Sequence, residues 1–204
     1  MTTTTVSSAV APQATSEPAA IGKPAPDFTL PDTEGHPVHL ADYRGKTVVL
    51  EWFNPNCPFV NHAHTKNGSL VDAAKRHAAE GVVWLAINSA APGRQGYGAA
   101  ATLEGKHRFG LDHPILLDES GTVGHAYGAT NTPHMFVIDK AGTLAYAGAI
   151  DNSPDGEGES PTDPVLIRYV DQALSEIAQG HPVSVPSTKP YGCSVKYAGS
   201  GGHH

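Results

Sequence analysis

The stretch Glu51-Trp-Phe-Asn-Pro-Asn-Cys-Pro-Phe-Val-Asn-His62 decides how the chain folds and where its chemistry sits. Its first residues close the run TVVLEWF (Thr47–Phe53), which is apolar, β-branched and aromatic, as a strand covered on both faces requires. Helical signals begin at Pro58, because proline is favoured in a first helical turn, where its missing N–H was unpaired anyway. Cys57 is thereby placed at or beside a helix N-cap, at the seam between strand and helix. There the free N–H groups of Phe59 and Val60 and the helix dipole would stabilise a thiolate. The plain alternative is a small buried hydrophobe. A C-x-x-C redox pair is absent, since the position three after Cys57 is Val60.

Glu51 is the second anomaly, because a carboxylate inside an apolar strand is costly unless paired or protonated. Strand alternation puts Val49, Glu51 and Phe53 on one face, below the helix that begins at Cys57. A carboxyl there could take a thiol proton through water, or it could be a strand-edge charge that reaches solvent. Thr132-Pro133 enters the apolar run HMFVID. That proline is either an edge-strand feature or a cis peptide presenting backbone to a substrate, although only about 5–6% of X–Pro bonds are cis.

Around this seam the chain reads as one domain. Phe28–Leu30 and Val38–Leu40 flank the turn Asp32-Thr-Glu-Gly35 and predict a β-hairpin. A helix is expected from Pro58 to about Glu80, broken or kinked at Asn67-Gly-Ser69. GVVWLAINS (81–89) is a second buried strand, followed by a short helix near Thr102–Phe109, an extended PILLD (114–118) and a short helix at Val123–Tyr127. HMFVIDKAGTLAYAGAI reads as a hairpin turning at Asp139–Gly142. After the acidic loop DNSPDGEGESPTDP, Thr162 is expected to cap a last helix with Val165, Tyr169, Leu174 and Ile177 on its apolar face. Alternating strands and helices, then a hairpin and a final helix, specify an α/β sandwich around one mixed sheet.

The 204 residues suit a single core, and a net charge of -7 argues against nucleic acid or an acidic membrane as partner. No apolar run approaches the ~20 residues of a membrane span. Residues 1–20 read as a disordered leader without the regions of a signal peptide. Residues 21–180 form the domain, 181–197 an irregular tail carrying Cys193, and 198–204 a linker with part of a histidine tag. The compartment stays open: cytoplasmic if Met1 is native, periplasmic or secreted if a signal peptide has been removed. Cys57 and Cys193 are the only cysteines, and their spacing does not show that they pair.

PAPDFTLPDTEG, YRGKTVVLEWF, NPNCPFV and TPHMFVIDKAGTLAYAG, in that order, resemble the thioredoxin-like redoxins of the peroxiredoxin and thiol-specific antioxidant type. Within that superfamily the chain is similar to a peroxiredoxin-like group with CPFV at the active site and a C-terminal GCSVK segment, here Gly192–Lys196. The resemblance covers Ile21 to Gln179 and implies a thioredoxin-like three-layer sandwich. It implies Cys57 as the attacking cysteine, Pro133 as a facing cis-proline, Glu51 as the buried acidic residue and Cys193 as a distant resolving cysteine. Thr132, Phe59, Val60 and Asn54 would line the substrate site. The chain departs from the peroxiredoxin signature P-x-x-x-[TS]-x-x-C, with Leu50 for the proline and Asn54 for the threonine or serine.

The reading that follows is a thiol-disulfide oxidoreductase that needs no cofactor. It would take electrons from a thiol donor, either a thioredoxin-like protein or a small thiol, and act on a protein disulfide. Three alternatives accompany it: a peroxidase using the same cysteines on a small hydroperoxide, a metal-handling protein, and a non-catalytic binding module. His62, His64 and His134 are the weak metal candidates, although His62 and His64 are two apart and point differently on a helix. Arg94 is a weak ligand contact in the loop APGRQGYG.

Overall fold

A computed structural model describes residues 17–65 and 67–199; most of the expected leader (1–16) and the end of the expected tag (200–204) lie outside them. Its centre is a five-stranded sheet in the order β5-β4-β3-β7-β8. These strands are β3 (Val48–Trp52), β4 (Val83–Asn88), β5 (Ile115–Leu117), β7 (His134–Ile138) and β8 (Leu144–Gly148). β3 pairs parallel with β4 and antiparallel with β7, so it lies in the middle of the sheet. All five of its residues are buried, which explains why all but Glu51 are apolar.

The two faces of β3 serve different layers. Leu50 and Trp52 pack with Phe28, Leu30, Val123, Tyr127 and Phe136, beneath the antiparallel hairpin of β1 (Thr29–Pro31) and β2 (Pro37–His39) and helix α4 (Thr122–Tyr127). Val49 packs with Ala63, Leu70, Ala73, Val170 and Leu174. These come from α1 (Pro58–His64), α2 (Ala73–Ala78), the segment between them, and α5 (Tyr169–Ala178). Phe53, Cys57, Val60, Ala86 and Ile115 form a third, smaller cluster at the end of β3, reached by Phe109 of α3 (Ala99–Phe109). Hairpin and α4, sheet, and remaining helices are the three layers of the thioredoxin-like sandwich.

The helix expected over Pro58–Glu80 is two helices rather than one kinked one. Gly68 lies so close under α1 that a Cβ there would meet the His62 carbonyl oxygen at 2.2 Å. The chain therefore turns back at glycine, and Leu70 N–H donates to Ala63 O instead of continuing the helix. The last helix also differs from expectation. Thr162 does not cap it; α5 starts at Tyr169 with Arg168 as N-cap, and Val165 is exposed rather than on its apolar face. Tertiary pairing overrides the local signal here. Thr162 N–H and Ile167 N–H bond to Asn152, and Asp151 bridges Arg168, so residues 162–168 are held along the loop after β8. Val170 and Ala173 complete the buried face of α5.

The tail after α5 is stitched to the domain. Ala147 N–H donates to Pro186 O, and the Thr188 hydroxyl accepts from Ala149 N–H. Further on, β9 (Cys193–Ser194) pairs antiparallel with β6 (Asn131–Thr132), setting Cys193 opposite Thr132. At the other end, Ala19 N–H donates to Ala126 O, so ordered contacts begin two residues before the expected domain start. No helix of the described residues is long and apolar enough to cross a membrane.

Candidate active site

Cys57 is the N-cap of α1, in extended conformation, with Pro58 at the first helical position. The side chain is only 1% exposed. Two other elements close over it. The Thr132 carbonyl, before the cis Thr132–Pro133 peptide, lies 3.1 Å from the sulfur. Cys193 Sγ, brought in by β9, lies 2.6 Å from it, and both cysteines are free. Sequence separation of 136 residues is thus reduced to contact.

Protonated, Cys57 donates to Thr132 O; ionised, it accepts from the Cys193 S–H. The second state prevails at neutral pH. The Cys193 hydrogen bond lowers the Cys57 pKa to about 5 against the opposing effect of burial, aided by the Thr132 side chain and the N–H groups of Val60 and Cys193. The Thr132 hydroxyl is buried without any other hydrogen-bond partner, which leaves it for the sulfur. Cys193 shifts the opposite way: its bond to Cys57, burial and the adjacent thiolate charge all hold its proton on. One proton is shared by two sulfurs, and it resides on the tail cysteine.

Glu51 is fully buried on the face of β3 that looks toward α1. His64 Nε2 contacts its Oε1 at 2.6 Å, and Trp84 Nε1–H donates to Oε2 at 3.0 Å. Burial would raise its pKa, but His64, with His113 and Trp84 assisting, outweighs burial and holds the carboxylate ionised. Both carboxylate oxygens are therefore engaged on the side of α1 and β4, whereas the Cys57 sulfur is met by Thr132 and Cys193. Sequence reasoning weighed His64 only as a metal candidate and missed it as the partner of Glu51. The signal was present: Val60, Ala63 and His64 follow the i, i+3, i+4 spacing of a buried helical face, and a carboxylate in the strand below needs a partner there.

Asn54 is buried, donating through Nδ2 to Gln95 O at 3.0 Å and accepting from Asn56 N–H at 2.9 Å. It ties the Cys57 loop to the loop containing Gly96, where a Cβ would collide with the Asn54 amide. Val60 is wholly buried in the same cluster as Cys57, and its backbone N–H faces the sulfur. Phe59 is half-buried, its ring edge-on to Tyr191 of the tail at 6.3 Å. Arg94 is half-buried in the neighbouring loop. His62 contacts Asp155 O and Glu157, while His134 is buried against Phe136 and accepts from Thr130 N–H. Burial lowers the His134 pKa to about 4. Among the described residues no three His, Cys, Asp or Glu side chains are grouped to hold a metal.

Fold and site together define a thioredoxin-like redoxin. The sequence pattern of the AhpC/TSA family matches residues 21–147, and the chain belongs to that family. Thiol-disulfide oxidoreductase ResA of Geobacillus kaustophilus (strain HTA426) is 35% identical over 118 residues, 58% of this chain. The chain spans 63% of the length of that relative. Two solved structures align over nearly the whole chain. An uncharacterized conserved protein of Geobacillus kaustophilus has TM-score 0.74 at 28% identity, over 95% of this chain and 100% of that one. A hypothetical protein of Sinorhizobium meliloti 1021 has TM-score 0.75 at 27% identity, over 93% and 100% respectively.

Proposed function

We propose that the protein is a thiol-disulfide oxidoreductase in which Cys57 attacks and Cys193 resolves. The observation that carries this reading is the 2.6 Å contact between the two sulfurs. The Cys57 thiolate attacks one sulfur of a substrate disulfide, forming a mixed disulfide and expelling the other sulfur as thiolate. That bond removes the negative charge from Cys57. The charge and hydrogen bond that had held the proton on Cys193 are then gone, so its thiol ionises more readily, passing its proton to the departing thiolate or to solvent. Cys193 next attacks Cys57 Sγ and releases the second substrate sulfur. Substrate gains two electrons as two thiols; the protein holds a Cys57–Cys193 disulfide, which an external thiol donor reduces.

In this scheme Cys57 is already ionised at pH 7, so its first attack needs no base. Glu51, with both oxygens engaged, acts on this reading by fixing α1 beneath Cys57; its expected part as a proton acceptor through water rests on water reaching past His64. Pro133 and Thr132 present backbone beside the sulfur, where a substrate disulfide would lie. A hydroperoxide could oxidise the same thiolate to a sulfenic acid, with Cys193 then condensing to the same disulfide and releasing water. Asn54 is less suited to orient such a substrate, because its amide already bonds Gln95 and Asn56.

The reduced protein, freed of reductant, should be mixed separately with a small aromatic disulfide and with hydrogen peroxide, for wild type, Cys57→Ser and Cys193→Ser, a thiol donor being added only afterwards to follow turnover. Disulfide reduction lost in Cys57→Ser, and stalled at a mixed disulfide in Cys193→Ser, is the expected result. Turnover of peroxide with no turnover of disulfide would move the assignment to peroxidase.

A further inference from the structure

The tail that carries Cys193 is held on both sides of it. Downstream, Val195 is buried in the core, Val195 N–H donates to Thr130 O, and the Tyr197 hydroxyl donates to Ala129 O at 2.8 Å. Upstream, the stitching to β8 ends at Thr188, which bonds Tyr146. Between Thr188 and Cys193, Tyr191 is the one side chain with a polar anchor among the described residues: its hydroxyl donates to Asp151 Oδ1 at 2.6 Å.

Asp151 is buried, and its carboxylate gathers three elements. It accepts from Ser69 in the break between α1 and α2, from Ser153 N–H in the loop after β8, and from Tyr191 in the tail. Tyr191 and Cys193 flank Gly192, a bend with φ +115 that brings both side chains to the start of α1. There Tyr191 meets Phe59 and Cys193 meets Cys57, two positions matched to two. Sliding β9 by one residue along β6 would move Cys193 away from Thr132 and off Cys57.

We propose that Asp151 and Tyr191 are positioning residues for the resolving cysteine, their hydrogen bond fixing the register in which the tail lies on β6 with Cys193 against Cys57. The inference rests on the two-cysteine reading above. Burial and the Asp151 carboxylate raise the pKa of the Tyr191 hydroxyl far above its ordinary range, so it stays a donor throughout the working pH range. Tyr191→Phe removes the bond while keeping the ring against Phe59.

The test is a cycle of four reduced proteins: wild type, Tyr191→Phe, Cys193→Ala and the double variant. Each is alkylated with iodoacetamide across pH 4–10, and the first two are also oxidised with a small disulfide. Losing a hydrogen bond to a charged group should slow Cys57–Cys193 closure roughly tenfold and move the Cys57 alkylation midpoint upward from about 5. In the Cys193→Ala background, Tyr191→Phe should cause no further shift, because its effect passes through Cys193. Asp151→Asn approaches the bond from its other side and should shift the same two quantities in the same direction. Wild-type closure rate and midpoint in Tyr191→Phe, or a shift that persists without Cys193, would overturn the proposal. Absence of any 57–193 disulfide in wild type would sink the two-cysteine reading, while the alkylation cycle would still decide the positioning role.

Discussion

Cys193 and Cys57 touch through their sulfurs at 2.6 Å and shift each other's acidity in opposite directions. Removing the tail thiol should therefore remove the main support of the Cys57 thiolate. In Cys193→Ala the alkylation midpoint of Cys57 is expected to rise by more than one pH unit from about 5, toward the ~8.5 of an ordinary cysteine. A midpoint that stays near 5 would mean that the helix terminus and Thr132 stabilise the thiolate unaided.

The same pair makes stability depend on pH with a defined sign. Unfolded, both thiols keep their protons up to about pH 8.5; folded, one proton is already gone above about 5. Unfolding takes up a proton between these values, so the pair's contribution is complete near pH 8.5 and is lost as pH falls through 5. Above that range Cys193 keeps a proton that the unfolded chain releases, and the contribution declines again. Urea unfolding under reducing conditions should show the gap between wild type and Cys57→Ala widening from pH 5 to 8. His113 and His134, each lowered to about 4 by burial, add their own loss of stability below about pH 6.5. Those terms are common to both proteins and cancel in the difference. A flat difference would contradict the assignment of the proton.

Glu51→Leu strips the carboxylate from beneath α1 and leaves His64 Nε2 and Trp84 Nε1 buried without it. The expected cost is about 3 kcal/mol by urea unfolding, since breaking a buried polar pair from one side strands its partners. Glu51→Gln keeps an acceptor for Trp84 and should lose less. Equal losses for both variants would remove the special place given to the acceptor oxygens.

Gly192 has φ +115, and a Cβ there would lie 2.3 Å from Thr132 O. Gly192→Ala should therefore push β9 away from β6 at the residue preceding Cys193. The expected outcome is Cys57–Cys193 closure slowed at least tenfold, with global stability reduced by about 1–2 kcal/mol for the forced backbone conformation. Wild-type closure kinetics would show that the tail tolerates the displacement.

The parts of this fold that were legible in the sequence are those written in local periodicity. The apolar run of β3, broken only by Glu51, and the Cys57-Pro58 junction place the thiol at a helix start because strand and cap chemistry act over a few residues. The hairpin turns at Gly35 and Gly142 were readable for the same reason. The start of α5 was not, since Asn152 and Asp151 capture residues 162–168 by contacts that no local pattern encodes. Nor was the Asp151–Tyr191 bond, which joins residues 40 apart. For Cys193 the residues supplied only its existence in a Pro- and Gly-rich tail; resemblance supplied a role, and the β6–β9 pairing supplies the contact.

Whether Cys57 and Cys193 form one redox pair is decided by counting and mapping thiols after oxidation. The fully reduced protein is treated with one equivalent of a small disulfide, quenched with an alkylating reagent, digested and read by mass spectrometry. A redox pair loses both thiols, releases two equivalents of the small thiol, and yields a linked peptide pair containing Cys57 and Cys193. A protein in which Cys57 remains as a mixed disulfide while Cys193 is recovered alkylated would contradict it.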